Sequence, residues 1–276
     1  MDGVCNRVER YSINQLRGVY ELMSSNQASG NSLNQIQWAC FLCFAFTIIA
    51  VPSMLASKPD LEYYALRRVN DTGMPVVEYH SSMKSYTLLL LFLLPSVIEH
   101  LFAIVYKTRY ARLLSGIGWH RWLSYAISAP SLVGLVIYSI GPGSEFSVSL
   151  LTSGLILVCI GMGPIVEYGH GGFDDLKRNP FIFKMGMLIG FVALLFAFVP
   201  VWYYYSKSDV PSDIAPFVGA MVAVITVLYW CFGFVPLYLY AQEPPFYKRE
   251  MVYCTLSLCA KLPLAWLYAA MLATRF

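Results

Sequence analysis

The stretch LSLCAKLPLAW, Leu256 to Trp266, carries a single charge, Lys261, in otherwise apolar surroundings. An amine there can do one of three things: pair with a buried carboxylate, line an ion or water pathway, or react with a carbonyl as a Schiff base. The last is natural chemistry for a desolvated lysine, whose lone pair is freed to attack an aldehyde. Ser257 lies one turn before Lys261 on the same helical face, within reach of whatever the nitrogen becomes. Position alone does not choose among the three.

The choice depends on whether the segment crosses a membrane. Of 276 residues, 58% are apolar and 13% charged, about half the charge of a typical soluble domain. Apolar runs long enough to span a hydrocarbon core occur at 37–56, 85–106, 122–141, 147–166, 181–204, 215–240 and 251–273. The expectation is an all-α membrane protein, one seven-helix bundle over 1–276. Lys261 then sits eleven residues after Glu250 and fourteen before Arg275, too deep for its side chain to reach either surface. A charge at that depth costs from ~3 kcal/mol to much more, so it must face the bundle interior.

Lysine and arginine counts set the expected orientation. Arg7, Arg10, Arg17, Lys107, Arg109, Arg112, Arg121, Lys177, Arg178, Lys248 and Arg249 fall on one side, eleven in all, against six on the other: Lys58, Arg67, Arg68, Lys84, Lys207 and Arg275. This places the N-terminus in the cytoplasm and the C-terminus outside. The sequon Asn70-Asp71-Thr72 then lies outside, as glycosylation would require. Residues 1–35 are polar and lack the apolar core of a cleavable signal, so the first span is expected to direct its own insertion into a plasma or host cell membrane. The seven cysteines imply no disulfide framework.

One loop is long, 57–84. YYALRRV and MPVVEYH flank the turn-like NDTG there, which predicts a β-hairpin over the outer face. Pro95, Pro130, Pro164, Pro200, Pro236 and Pro263 all fall inside spans, where neighbouring helices can satisfy the freed backbone groups. GMLIG, Gly186 to Gly190, allows another helix to approach closely, either a second copy in a homodimer or a neighbour in the same bundle. Trp202, Tyr229, Trp230, Phe232, Phe234 and Trp266 supply aromatics that could enclose a flat polyene, although each is as well explained by packing.

With these residues in place, the sequence resembles the heliorhodopsins, retinal-binding seven-helix proteins of inverted orientation. The resemblance is carried by EMVYCTLSLCAKLPLAW (Glu250 to Trp266), and RWLSYAIS (Arg121 to Ser128) looks like the start of the family's third helix. Looser similarity covers NPFIF, Pro200 to Trp202, FVGA at Phe217, YWCFGF at Tyr229, and the pair Glu99-His100. The resemblance implies all-trans retinal bound as a Schiff base to Lys261, with Ser257, Ser124, Ser128, Pro200, Tyr229 and Trp266 about it. It also implies His100 in a polar cavity on the cytoplasmic side. Ordinary microbial rhodopsins instead keep an aspartate at the position of Ser257.

One departure matters. In the family pattern the third helix reads Arg-Trp-x-Glu-Tyr, and the glutamate is the counterion of the protonated Schiff base; here that position is Ser124. Glu99 is the one carboxylate deep within an expected span, which makes it the substitute candidate, or else a protonated glutamate bonded to a neighbouring helix. Chloride beside Ser124 and Ser257, or a Schiff base without its proton, are the other ways to balance the site. Glu99 and His100 project about 100° apart on a helix, so they are not expected to face the nitrogen together. Glu167 and the run FDDLKR, Phe173 to Arg178, offer titratable groups for proton exchange or a cytoplasmic partner, but read more simply as a solvated helix end and loop, and no role is assigned to them.

The expected function is light sensing by a non-enzymatic membrane protein, read out by a cytoplasmic partner. Its environment is membrane lipid, and no feature suggests nucleic acid. The runner-up is light-driven or light-gated ion transport, of protons. The scarcity of internal carboxylates speaks against a vectorial pump but not against a passive conductance.

Overall fold

The computed structural model describes residues 32–55, 61–69, 75–83, 86–106, 118–140, 146–169, 179–208, 210–242 and 246–275. Among the described residues, seven helices are long and apolar enough to cross a membrane: α1 (Ser32–Leu55), α2 (Thr87–Val105), α3 (Trp119–Ile140), α4 (Phe146–Gly169), α5 (Pro180–Lys207), α6 (Ala215–Gln242) and α7 (Phe246–Arg275). They follow the expected spans, with two informative differences. Helix α3 starts three residues before its apolar run and α7 five before, so both take in a polar first turn that includes Arg121 and Glu250.

Between α1 and α2, β1 (Leu61–Val69) and β2 (Pro75–Met83) pair antiparallel, from Leu61 opposite Met83 to Val69 opposite Pro75. The register slips between Tyr63 and Tyr64 and again between Leu66 and Arg68. The NDTG turn with its sequon, the run FDDLKR and Cys5 lie outside the described residues.

Helices adjacent in sequence pack together, and α3 also meets α5 and α6. Of its most apolar stretch 61% is buried, against 22% in α4 and α6, which makes α3 the central helix. Leu132, Val133, Val136 and Ile140 of α3 join Leu89 and Leu93 of α2 and Leu264, Tyr268 and Leu272 of α7 in one continuous core. The outer surface is covered by Leu42, Phe46, Ile98, Leu123, Leu150, Phe196 and similar residues, as a helix bundle in lipid requires. At the start of α5 the Asn179 side chain accepts from the Ile182 amide at 3.1 Å, and Pro180 fills the first helical position.

The six prolines expected inside spans are all interior to their helices. The GMLIG stripe faces α4 rather than lipid. A Cβ on Gly186 would stand 2.9 Å from Val166 Cγ2, and one on Gly190 3.6 Å from Met162 Cβ. The close approach it permits is within the bundle, so the stripe does not supply a homodimer seam.

Polar first turns tie three helix ends together. Arg121, 2% exposed, forms salt bridges to Glu167 at the end of α4 and to Glu250 at the start of α7. Its guanidinium lies 4.0 Å from the Tyr253 ring centroid and 5.4 Å from that of Trp122. Glu167 also accepts from the Gly118 amide at 2.9 Å. Gly118 is a position where the absent side chain matters, since a Cβ would meet Arg121 Nη2 at 2.7 Å. The expectation that Glu167 is merely a solvated helix end is therefore corrected. The arginine reaches it because α3 begins earlier than its apolar run.

Two outcomes test this packing. Gly186→Leu should lower stability by about 1–3 kcal/mol through overpacking against Val166, whereas Gly190→Ala should be tolerated; thermal unfolding in one detergent compares them. Arg121→Gln leaves two carboxylates facing each other and should cost about 3–5 kcal/mol. Glu167→Gln should cost less in the same assay, because that side chain is already 18% exposed.

Candidate functional site

Lys261 lies in the middle of α7 with 5% of its surface exposed. Its ammonium donates to two hydroxyls, Ser96 on α2 and, at 3.0 Å, Ser128 on α3. Both serines are fully buried. The rings of Tyr125 and Phe92 complete its surroundings, at 5.2 and 5.9 Å from Nζ to the centroids. Among the described residues the amine is in no ion pair. A lysine in the bundle interior is thus hydrogen-bonded through two of its three donors and flanked by two π faces.

Beside this amine a cavity opens between α3, α4, α5 and α6. Its walls are rings and small residues. Trp122, Tyr125, Phe191, Tyr229 and Phe232 supply flat faces, while Gly163, Gly186, Gly190 and Gly233 make the room between them. A Cβ on Gly163 would collide with the Trp122 ring, and one on Gly233 would come within 2.9 Å of Phe191 Cε1. Tyr229 is held in the wall by donating to the Ala129 carbonyl at 2.9 Å, and its ring meets Phe198 edge-on. Apart from Ser128 and Lys261 the lining is apolar or aromatic, the character of a small-molecule site.

A second, narrower and polar pocket lies on the side of Lys261 toward the α7 start. Glu99, His100, Arg121, Tyr125, Glu250, Tyr253, Cys254 and Ser257 line it. The Glu99 carboxylate interacts electrostatically with Lys261 and Arg121, and Ser124 stands beside it without reaching hydrogen-bond geometry. His100 stacks on Phe44 of α1 with centroids 5.6 Å apart, and its Nδ1 bonds the Gln37 amide oxygen. Gln37 in turn donates to Cys254 Sγ at 3.3 Å. The other ring nitrogen, Nε2, has no hydrogen-bond partner among the described residues.

The structure gathers most of the expected site residues and separates others. Lys261, Ser128 and Tyr229 line the apolar cavity; Ser257, Glu99 and His100 line the polar pocket, and Ser124 adjoins it. Glu99 and His100 line the same polar pocket, whose lining does not include Lys261. Pro200 is not in the cavity wall: it lies six residues past Leu194, the last α5 residue there, and the proline in the wall is Pro236. Trp266 turns away, 38% exposed and stacked against Phe46 of α1 at 6.5 Å. Of the other expected aromatics, Phe232 lines the cavity, Trp230 packs behind it on Phe191, and Trp202 and Phe234 are exposed to lipid. The described cysteines are free.

Ser96, Arg121 and Glu250 are polar residues of the site that were not expected from the sequence. Two left a signal. Glu250, Tyr253, Cys254, Ser257 and Lys261 follow the three- and four-residue spacing of one helix face. Ser96 falls on the buried stripe Leu89, Phe92, Leu93, Ser96, His100 of α2. Nothing local marks Arg121 as anything but a membrane-flanking charge.

Comparison with curated protein sequences gives no match. Solved structures share the fold. The rhodopsin of Exiguobacterium sibiricum superposes with a TM-score of 0.66 at 14% identity, over 88% of this chain and 97% of that one. A light-driven proton pump from Leptosphaeria maculans gives 0.65 at 13%, over 90% and 96%. The proton-pumping rhodopsin of the alga Acetabularia acetabulum gives 0.62 at 13%, over 90% and 96%. At these identities the likeness concerns the fold alone. The heliorhodopsin family profile matches residues 33–272. The chain is therefore a multi-pass membrane protein belonging to the heliorhodopsins, a family whose cofactor is retinal.

Proposed function

We propose that the protein is a light sensor in which Lys261 holds all-trans retinal as a Schiff base, formed when the amine adds to the aldehyde carbon and water leaves. The observation that carries this reading is the amine of Lys261 in the lining of an apolar cavity walled by rings and glycines. Flat apolar walls of this kind suit a polyene, and the family assignment names retinal as the one. Bound retinal contributes absorption of light and isomerisation about a double bond.

The chain's own residues do the rest. Ser96 and Ser128 fix the nitrogen by hydrogen bonds from two different helices. Trp122, Tyr125 and Phe232 exclude water from the cavity next to it. Any movement of the nitrogen alters bonds to α2 and α3 together, and α3 is tied through Arg121 to α4 and α7. Helix ends are thus mechanically linked to the site. The excess of eleven lysines and arginines over six favours a cytoplasmic N-terminus, which puts these ends in the cytoplasm and the paired strands β1 and β2 outside. The linked ends are then the surface a cytoplasmic partner would read.

Adding all-trans retinal to membranes containing the cofactor-free protein should produce a light-sensitive absorption band, and borohydride should trap the adduct on Lys261. Lys261→Ala should abolish both while leaving the protein folded, and a band that survives this substitution would overturn the reading. Under voltage clamp the sensor reading predicts no sustained photocurrent; a sustained proton current would replace sensing by light-gated transport.

A further inference from the structure

Buried charge is distributed unevenly about Lys261. Toward the α7 start lie Glu99 and His100, then Arg121 with Glu167 and Glu250. In the opposite direction Leu264, Ala265, Tyr268, Met271 and Leu272 of α7 face Leu89 of α2 and Val133, Val136 and Ile140 of α3, and the hydroxyls of Ser139 and Thr152 are buried there without a buried charge among the described residues. Besides Lys261, the buried charged or imidazole side chains of the described residues are His100, Arg121 and Glu250, all on one side. The nitrogen therefore has ionisable neighbours in one direction and an apolar barrier in the other.

Glu99 is placed between the nitrogen and the arginine cluster. Glu250 lies eleven residues from Lys261, about 16 Å along α7, and is already committed to Arg121. Glu99 comes from α2, interacts with both Lys261 and Arg121, and is in no salt bridge with a described residue. Titratable and hydroxyl groups surround it. From α1 Cys40 faces it; from α3, Arg121, Ser124 and Tyr125; from α7, Lys261, Glu250 and Cys254; and His100 adjoins it on α2. Around the cluster itself stand Glu167 of α4, Tyr253 and Arg249 of α7, and His120 of α3. The His100 Nε2 that lacks a partner is a buried proton site on this pocket.

We propose that Glu99 is both the counterion and the proton-exchange group of the Lys261 nitrogen, passing protons to and from the Arg121–Glu167–Glu250 cluster, so that the nitrogen titrates with the pH at that end of the bundle alone. The inference rests on the Schiff-base reading. In the exchange, the N–H bond of the protonated nitrogen breaks, its electron pair stays on nitrogen, and the proton joins a Glu99 oxygen. Both groups become neutral, so no net charge is left in the bundle centre. The proton then moves to a cluster carboxylate and Glu99 returns to its anion. The family's third-helix glutamate is absent here, with Ser124 in its place, and Glu99 is the carboxylate among the described residues that bears electrostatically on Lys261.

Vesicles holding the retinal-bound protein in one orientation, given a pH jump on one side in the dark, test it. A jump at the α3-start end should shift the absorption band at once, and a jump at the other end should act only as the lumen equilibrates. Glu99→Gln removes a negative charge that favours the protonated nitrogen, so the protonated band should be lost at a pH lower by about one to three units. Glu99→Asp should restore most of that shift. An unchanged midpoint in Glu99→Gln, a midpoint that follows chloride, or a prompt response from the opposite side would each overturn the proposal. A second readout needs no retinal: the infrared carboxyl band lost in Glu99→Gln should titrate in the cofactor-free protein with pH applied at the α3-start end. If no Lys261-dependent band forms, the Schiff-base reading fails, and the infrared titration still decides the role of Glu99.

Discussion

A primary amine in the centre of a hydrocarbon layer must be solvated by the protein or not be there, and the interior of this bundle is arranged around that demand. Ser96 and Ser128 approach Lys261 from two helices, and Tyr125 and Phe92 offer it their faces. For the two serines to converge, α2, α3 and α7 must cross within a side chain's length of one another. That crossing fixes the positions of everything else: the cavity begins where α7 leaves α3, and the polar pocket begins where α2 meets both.

Converging helices normally fill the space between them. Here the space is kept open by glycines opposite rings, with Gly163 against Trp122 and Gly233 against Phe191. The rings keep their places because they stack on each other, Phe191 on Trp230 at 5.7 Å and Tyr125 against Phe232 at 5.3 Å. The bundle stays closed around an apolar slot because α4 and α5 meet through Gly186 and Gly190, while Arg121 clamps the ends of α3, α4 and α7. Removing the clamp's arginine would strand two carboxylates, so the cluster is self-supporting only as a whole.

The loss of a third-helix carboxylate alters the electrostatics without altering the frame. Ser124 is small and buried. In the proposed reading the charge it does not supply comes from α2 through Glu99, which lines the polar pocket together with Arg121 and Glu250.

The sequence by itself determined the class of fold and its centre. Seven long apolar runs in water-poor composition can only satisfy their backbone groups as membrane helices, and a lysine too deep to snorkel must point inward. The face shared by Ser257 and Lys261, the proline positions and the two strands of the long loop were legible for the same reason: they depend on spacing within one segment. What the tertiary structure decided was which segments meet. Ser96 became a ligand of the amine, Glu167 a salt-bridge partner, Pro236 rather than Pro200 a cavity wall, and Trp266 a lipid-facing ring. Each depends on the rotation of one helix against another, set by packing across the bundle, and no local pattern records that rotation.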